Sequence, residues 1–146
     1  MFLIYNIMKH LVDIPIIDEQ HSYILDKISN VKTQKDLLMI ILYIKDHFKD
    51  EEEYMRKYID EMENFCPENK KGCDHCVNNT CIKSNILEHI DIHIQLQNKL
   101  SKDIKEYVVK NESNIDKEYQ TYLQNILKEH IYEFDIKTFN MMKKKR

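Results

Sequence analysis

The stretch His47-Phe48-Lys49-Asp50-Glu51-Glu52-Glu53-Tyr54-Met55 lies inside the longest helical pattern of the chain. His47 and Glu51 are four residues apart, so a helix sets them one turn apart on one face. That face is otherwise apolar: Leu37, Ile40, Ile41 and Ile44 precede the pair, and Met55, Tyr58 and Met62 follow it. An imidazole and a carboxylate on a core-facing stripe must be hydrogen-bonded, paired or bound to a metal, because burying them bare is costly. A core histidine bonded to a nearby glutamate would satisfy this pair taken alone. The same pattern, however, recurs on three further stretches.

The periodicity predicts four helices. Pro15 and the acidic Asp18 and Glu19 mark the start of the first, whose face reads Ile17, His21, Ile24, Leu25 and Ile28. The pattern lapses at Asn30, and Thr33-Gln34-Lys35-Asp36 resembles a capping box with Asp in place of Glu. A second helix then runs to about Glu63. Ser84 or Asn85 is the expected cap of a third, with a face of Ile86, His89, Ile90, His93, Leu96, Leu100, Ile104 and Val108. After a polar break at Asn111 to Asn114, Ser113 or Asn114 is the expected cap of a fourth. Its face reads Tyr119, Leu123, Ile126, His130, Phe134 and Met141. Four amphipathic helices with mostly short connections imply an all-α, antiparallel up-down four-helix bundle. An N-terminal arm and a Cys-rich loop between the second and third helices complete it.

The chain has seven histidines, and His21, His47, His89, His93 and His130 all fall on predicted inner faces. One inward histidine is ordinarily structural. Five inside one small bundle are hard to satisfy by hydrogen bonds alone, and a polar network of that size without metal is poorly specified. Imidazole with carboxylate suits iron, manganese or zinc.

Composition bounds the alternatives. With 146 residues the chain is read as a single domain over 1–146, and its one Gly and two Pro fit long helices with few turns. Charged residues are 32% of the chain but the net charge is −3, which gives no broad basic surface for nucleic acid. The longest apolar run, Leu37 to Ile44, is too short to cross a bilayer. The apolar Met1-Phe2-Leu3-Ile4-Tyr5 lacks preceding basic residues and a cleavage site, so it reads as an arm packed on a soluble, cytoplasmic protein. His10 in that arm reads as a surface residue. Lys143-Lys144-Lys145-Arg146 reads as a solvated tail.

The segments "IDEQH" (17–21), "HFKDEEEYM" (47–55), "HIDIH" (89–93) and "HIYEFD" (130–135) resemble, in order, the four ligand motifs of the hemerythrin family. The likeness covers roughly residues 14–139 apart from one insertion, and is to a single-domain bacterial hemerythrin. It implies a non-haem di-iron centre. One iron would take His89, His93 and His130, and the other His21 and His47. Glu51 and Asp135 would bridge both, together with an oxo or hydroxo group. Asp135 comes only from the family pattern, since ideal helical spacing from His130 points instead to Phe134. Two roughly octahedral irons offer about twelve positions, of which this set fills about eleven. The open one would bind dioxygen reversibly, for carriage, storage or sensing. Ile17, Leu25, Ile44, Phe48 and Ile90 are candidates to keep that position dry. The chain has no Trp and carries Ile126 where the family often has one.

An enzyme reducing nitric oxide or peroxide at the same centre is the alternative. The Glu-x-x-His pairs of ferritin-like oxidases are absent from this sequence. The implied partner is dioxygen, with no nucleic acid and no membrane, in a monomer or small homo-oligomer. The insertion, about residues 64–84, holds Cys66, Cys73, Cys76 and Cys81, with His75 among them. The gap between Cys73 and Cys76 allows two sulfurs on one zinc or iron, the first reading, followed by disulfides or a redox-switched pair and then by free thiols in a solvated loop. A redox- or metal-sensing module using this loop is therefore a further alternative.

Overall fold

The computed structural model describes Val12 and residues 14–61, 76–77 and 80–144. The arm with His10, and Cys66, Cys73 and His75 of the insertion, lie outside the described residues. The fold is an all-α bundle. Its elements are α1 (Pro15–Ile28), α2 (Gln34–Glu61), β1 (Cys76–Val77), β2 (Thr80–Cys81), α3 (Ile82–Val109) and α4 (Lys117–His130). A π-helical turn (Ile131–Asp135) then leads directly into α5 (Ile136–Lys144). No helix among the described residues is long and apolar enough to cross a membrane.

Local chemistry sets the helix ends. Pro15 opens α1, where a missing amide hydrogen costs nothing. Before α2 the expected capping box forms: Asp36 N–H donates to Thr33 Oγ1 and Thr33 N–H donates to Asp36 Oδ2, each at 3.1 Å. The end of α3 is closed by Asn111 at φ 55°, with Asn111 N–H bonded to the Val108 carbonyl and Glu112 N–H to that of Tyr107. This is the six-to-one and five-to-two closure that a left-handed residue permits, with Asn in the usual Gly position.

Two expected caps are displaced. α3 begins at Ile82, directly after β2, so Ser84 and Asn85 lie inside the helix, because the fully buried Ile82 extends the apolar face one turn earlier. α4 begins at Lys117, because residues 113–115 are engaged with the α1–α2 connection. Gln34 N–H donates to the Ser113 carbonyl, Ile115 N–H donates to that of Lys32, and Thr33 bridges Asn114. The inner face of α3 also turns near its end. Val108 is 57% exposed, while Asp103 and Tyr107 are buried; Asp103 accepts from the Tyr119 hydroxyl and from Lys99 Nζ, both at 2.8 Å.

α1 packs against α2 and α4, α2 against α3, and α3 against α5. The buried apolar residues form two large clusters. One contains Ile17, Met55, Tyr58, Ile82, Ile86 and Phe139. The other contains Ile24, Ile28, Ile44, Leu100, Leu123 and Leu127. Between them, in the sequence of every main helix, falls a buried histidine or carboxylate: His21, His47 with Glu51, His89 with His93, and His130 with Asp135. A polar layer thus divides the apolar core. Truncating Leu100 to Ala inside the second cluster is expected to lower the unfolding free energy by about 2–5 kcal/mol. Met39→Ala, at a side chain 60% exposed, should stay within about 0.5 kcal/mol. Urea denaturation followed by circular dichroism measures both.

Candidate metal centre

Each helix delivers its part of the layer by simple spacing. α1 supplies His21, α2 supplies His47 and Glu51 one turn apart, and α3 supplies His89 and His93 in the same relation. His130 ends α4. Asp135 comes from the π-helical turn, where Ile136 N–H reaches back to the Ile131 carbonyl. An α-helix would carry the fifth residue after His130 well off its line; one extra residue in the turn brings it back. Phe134, favoured by ideal helical spacing, is instead half-buried beside the His130 ring, centroids 5.5 Å apart. The inward position belongs to Asp135, which is fully buried.

All seven candidate residues meet. Glu51, His89, His93, His130 and Asp135 each present one donor atom, and these atoms lie within 4.8 Å of one another. His21, His47, Glu51 and Asp135 form a second group by the same measure, so both carboxylates belong to both groups. Asp135 Oδ1 lies 2.7 Å from His89 Nε2 and 3.0 Å from His130 Nε2, while its Oδ2 lies 2.9 Å from His21 Nε2. Glu51 Oε1 lies 3.2 Å from His93 Nε2 and 3.4 Å from His47 Nε2, and its Oε2 3.4 Å from His21 Nε2. Phe48 stacks on the His93 ring at 3.9 Å and 4°.

The outward nitrogens decide what the inward ones offer. The Thr138 hydroxyl donates to Asn85 Oδ1 at 2.7 Å, so it accepts from His89 Nδ1–H at 3.0 Å. Gln20 Nε2 donates to Asp50 Oδ2 at 2.6 Å, which turns its Oε1 to accept from His47 Nδ1–H at 2.7 Å. His93 Nδ1–H donates to Glu52 Oε2 at 3.0 Å. With the Nδ1 proton fixed outward, each of these three rings in its neutral form directs a lone pair inward from Nε2, the tautomer a metal requires, and at His93 a metal would have to displace the second proton. The Nε2 atoms of His89 and His93 lie 3.3 and 3.0 Å from that of His130, so three ring nitrogens converge. All four oxygens of Glu51 and Asp135 are buried without a well-formed hydrogen bond, despite ring nitrogens at these distances. Orphaned oxygens facing converging nitrogens fit a cation and do not fit a hydrogen-bonded network.

Gln20, Glu52, Asn85 and Thr138 carry no periodic signal of their own: each is polar and adjacent to or near an inward residue, with its role set by a helix other than its own. Cys76 and Cys81 are directly opposed Cα partners in the β1–β2 ladder.

Without metal, protons must supply the positive charge. Burial pushes His21 down, but its contacts with Asp135 and Glu51 outweigh that and lift it to about 10. His93 likewise is lowered by burial yet carried to about 9 by Glu51 and Glu52. Burial holds His47 at about 4, only partly offset by Glu51. Burial and the charge of Asp135 raise Glu51, and the surrounding imidazoles nonetheless bring it to about 2. Asp135 is raised by burial but held well below the ordinary carboxylate range by His130 and by contacts with His21 and His89.

Comparison with family models, with curated proteins and with solved structures returns no match. The chemistry of the centre therefore rests on its own geometry.

The signs follow from these shifts. His21 and His93, raised from 6.5, stabilise the metal-free fold fully below that value and lose the contribution as pH rises through about 9 to 10. His47, lowered to about 4, opposes folding as pH falls from 6.5 towards it, and Glu51's contribution is lost as pH falls from 4.5 through about 2. A bound cation replaces the His21 and His93 protons. The Tm of chelator-treated protein should therefore fall as pH rises from about 7 to about 10, while that of Zn2+-loaded protein stays nearly level. Parallel Tm curves for the two forms would contradict the assignment.

Proposed function

We propose that this chain binds dioxygen reversibly at a pair of iron ions, as a hemerythrin-like carrier, store or sensor. The observation that carries the reading is the inequality of the two donor groups: two shared carboxylates join three histidines on one side and two on the other. Three histidines on each side would close both metal positions; only two, His21 and His47, leave theirs short of a ligand. The order of the apolar clusters along the chain supports the up-down connectivity of that family. α1 runs from the Ile17 cluster to the Ile24 cluster, α2 returns, α3 repeats the first direction and α4 the second. Residues 1–146 are read as one such domain.

When bound, the iron pair would supply the two electrons that dioxygen takes up and returns. The protein's part is different. His89, His93 and His130 would hold one ion, His21 and His47 the other, and Glu51 and Asp135 would span both beside an oxo or hydroxo group. Gln20, Glu52 and Thr138 keep the Nδ1 protons of His47, His93 and His89 outward, so the inward nitrogens of these three stay available. Ile17, Ile44 and Phe48 are almost completely buried around the layer and exclude water and small anions from it. A set of five imidazoles and two carboxylates also carries less negative charge than a glutamate-rich oxidase site, which favours binding over oxygen activation.

Anaerobic loading with Fe2+ followed by air is expected to produce an oxygen-to-iron charge-transfer band that vanishes under argon and returns with air. Fully loaded protein with no such band would remove the reading, and steady consumption of reductant would replace it with an enzyme. His93→Ala should lower bound iron from two per chain to one or fewer, measured by elemental analysis.

A further inference from the structure

The two halves of the centre differ in a second respect, which the count of histidines does not capture. On the three-histidine side, the outward nitrogen of His93 meets a carboxylate, Glu52, at 3.0 Å. On the two-histidine side, the outward nitrogen of His47 meets a neutral amide, Gln20, at 2.7 Å. Gln20 is oriented by Asp50, and the second oxygen of Glu52 lies 3.9 Å from Arg56 Nη2. Glu52 is partly exposed, at 22% of its side chain, and lines a surface cavity of ≈ 420 Å³ with Lys45, Asp46, Lys49, Glu53, Arg56 and Gln97. The His93 ring it touches is wholly buried and clamped flat by Phe48.

A carboxylate accepting Nδ1–H gives an imidazole partial imidazolate character and makes its other nitrogen a stronger donor to a cation; an amide oxygen does this only weakly. We propose that Glu52 is a positioning residue that strengthens His93 as a ligand, so that the three-histidine position binds its metal tightly and fills before the two-histidine position. Gln20, by fixing the His47 tautomer without adding charge, leaves the second position weaker and more exchangeable. The inference rests on the two-metal centre proposed above, but not on its binding dioxygen.

The Glu52→Gln variant isolates the effect. The amide can still accept Nδ1–H, so the ring keeps its orientation and only the charge is lost. Metal-free protein is titrated anaerobically with Co2+ alone, following the visible bands and the heat of each step. Wild type is expected to bind in two steps. In Glu52→Gln the first should weaken by about 10- to 100-fold, with the second unchanged within about threefold. The double variant Gln20→Glu with Asp50→Asn should strengthen the second step and narrow the gap between them. In Zn2+-loaded protein the 15N resonances of the His93 ring should shift between wild type and Glu52→Gln while those of His47 do not, a readout that general loosening would not give. Circular dichroism and Tm verify that each variant is folded.

A first step within about threefold of wild type in folded Glu52→Gln overturns the proposal, as does equal weakening of both steps. Wild-type protein that takes up fewer than two Co2+ overturns it together with the centre. Protein that binds two Co2+ in unequal steps, with only the first sensitive to Glu52, but shows no oxygen band after iron loading, leaves it standing and removes only the dioxygen reading.

Discussion

Seven ionisable side chains share one layer between two apolar clusters, and the fold is arranged around keeping that layer close to neutral. Two carboxylates with no exposure bring two negative charges into a region that cannot hydrate them. In the metal-free protein His21 and His93 hold protons well above the ordinary histidine range and offset those charges, while His47 stays neutral. Two divalent cations would displace those protons and leave the layer with a positive excess. On the proposed reading, an anionic oxo or hydroxo bridge is what restores the balance. The outer hydrogen bonds matter for the same reason: each settles where a proton would stay if the centre exchanged protons for metal.

Much of this was legible in the sequence because burial and helical spacing act together. His21, His47, Glu51, His89 and His93 lie on stripes otherwise made of Ile, Leu and Met, and a polar residue on such a stripe is conspicuous. The capping box at Thr33 and the break at Asn111 were legible for a related reason: both are short-range chemistry complete within six residues of chain. What failed was long-range. Ser84, Asn85, Ser113 and Asn114 are all good caps in isolation, but the first two are overtaken by the burial of Ile82 and the last two by pairing with the α1–α2 connection. Val108 had the right period, but the buried Asp103, bonded to Tyr119 from α4, turned the α3 face by one position. Gln20 and Glu52 could not be singled out at all, because their partners lie on other helices.

Asp135 marks the boundary between those two kinds of information. No periodic rule brings it inward, and a family pattern was needed to name it. The structure supplies the missing physics: a single π-helical turn that inserts one residue between His130 and Asp135. A π-turn widens the helix and weakens its hydrogen bonds, so it persists where tertiary contacts fix it. Here Asp135 is surrounded by His21, His89 and His130, while Phe134 is held against two histidine rings. The local distortion and the site therefore specify each other.

The position of the layer has a consequence for how the protein folds. Each main helix crosses the layer once, between a segment in one apolar cluster and a segment in the other. α1 is only 14 residues, marginal as a helix without tertiary support, and α4 continues only through the π-turn, whose hydrogen bonds are weaker. Their crossing points, His21 and His130, both contact the same Asp135 carboxylate. A cation held at these points would tie α1 and the π-turn after α4 to α2 and α3 at mid-height, between the two apolar clusters. Metal affinity and folding stability are then the same free energy seen from two sides, since the unfolded chain offers no preassembled donors. On the proposed reading, the bundle assembles its donor set before metal arrives and would gain rigidity at the layer once the cations are in place.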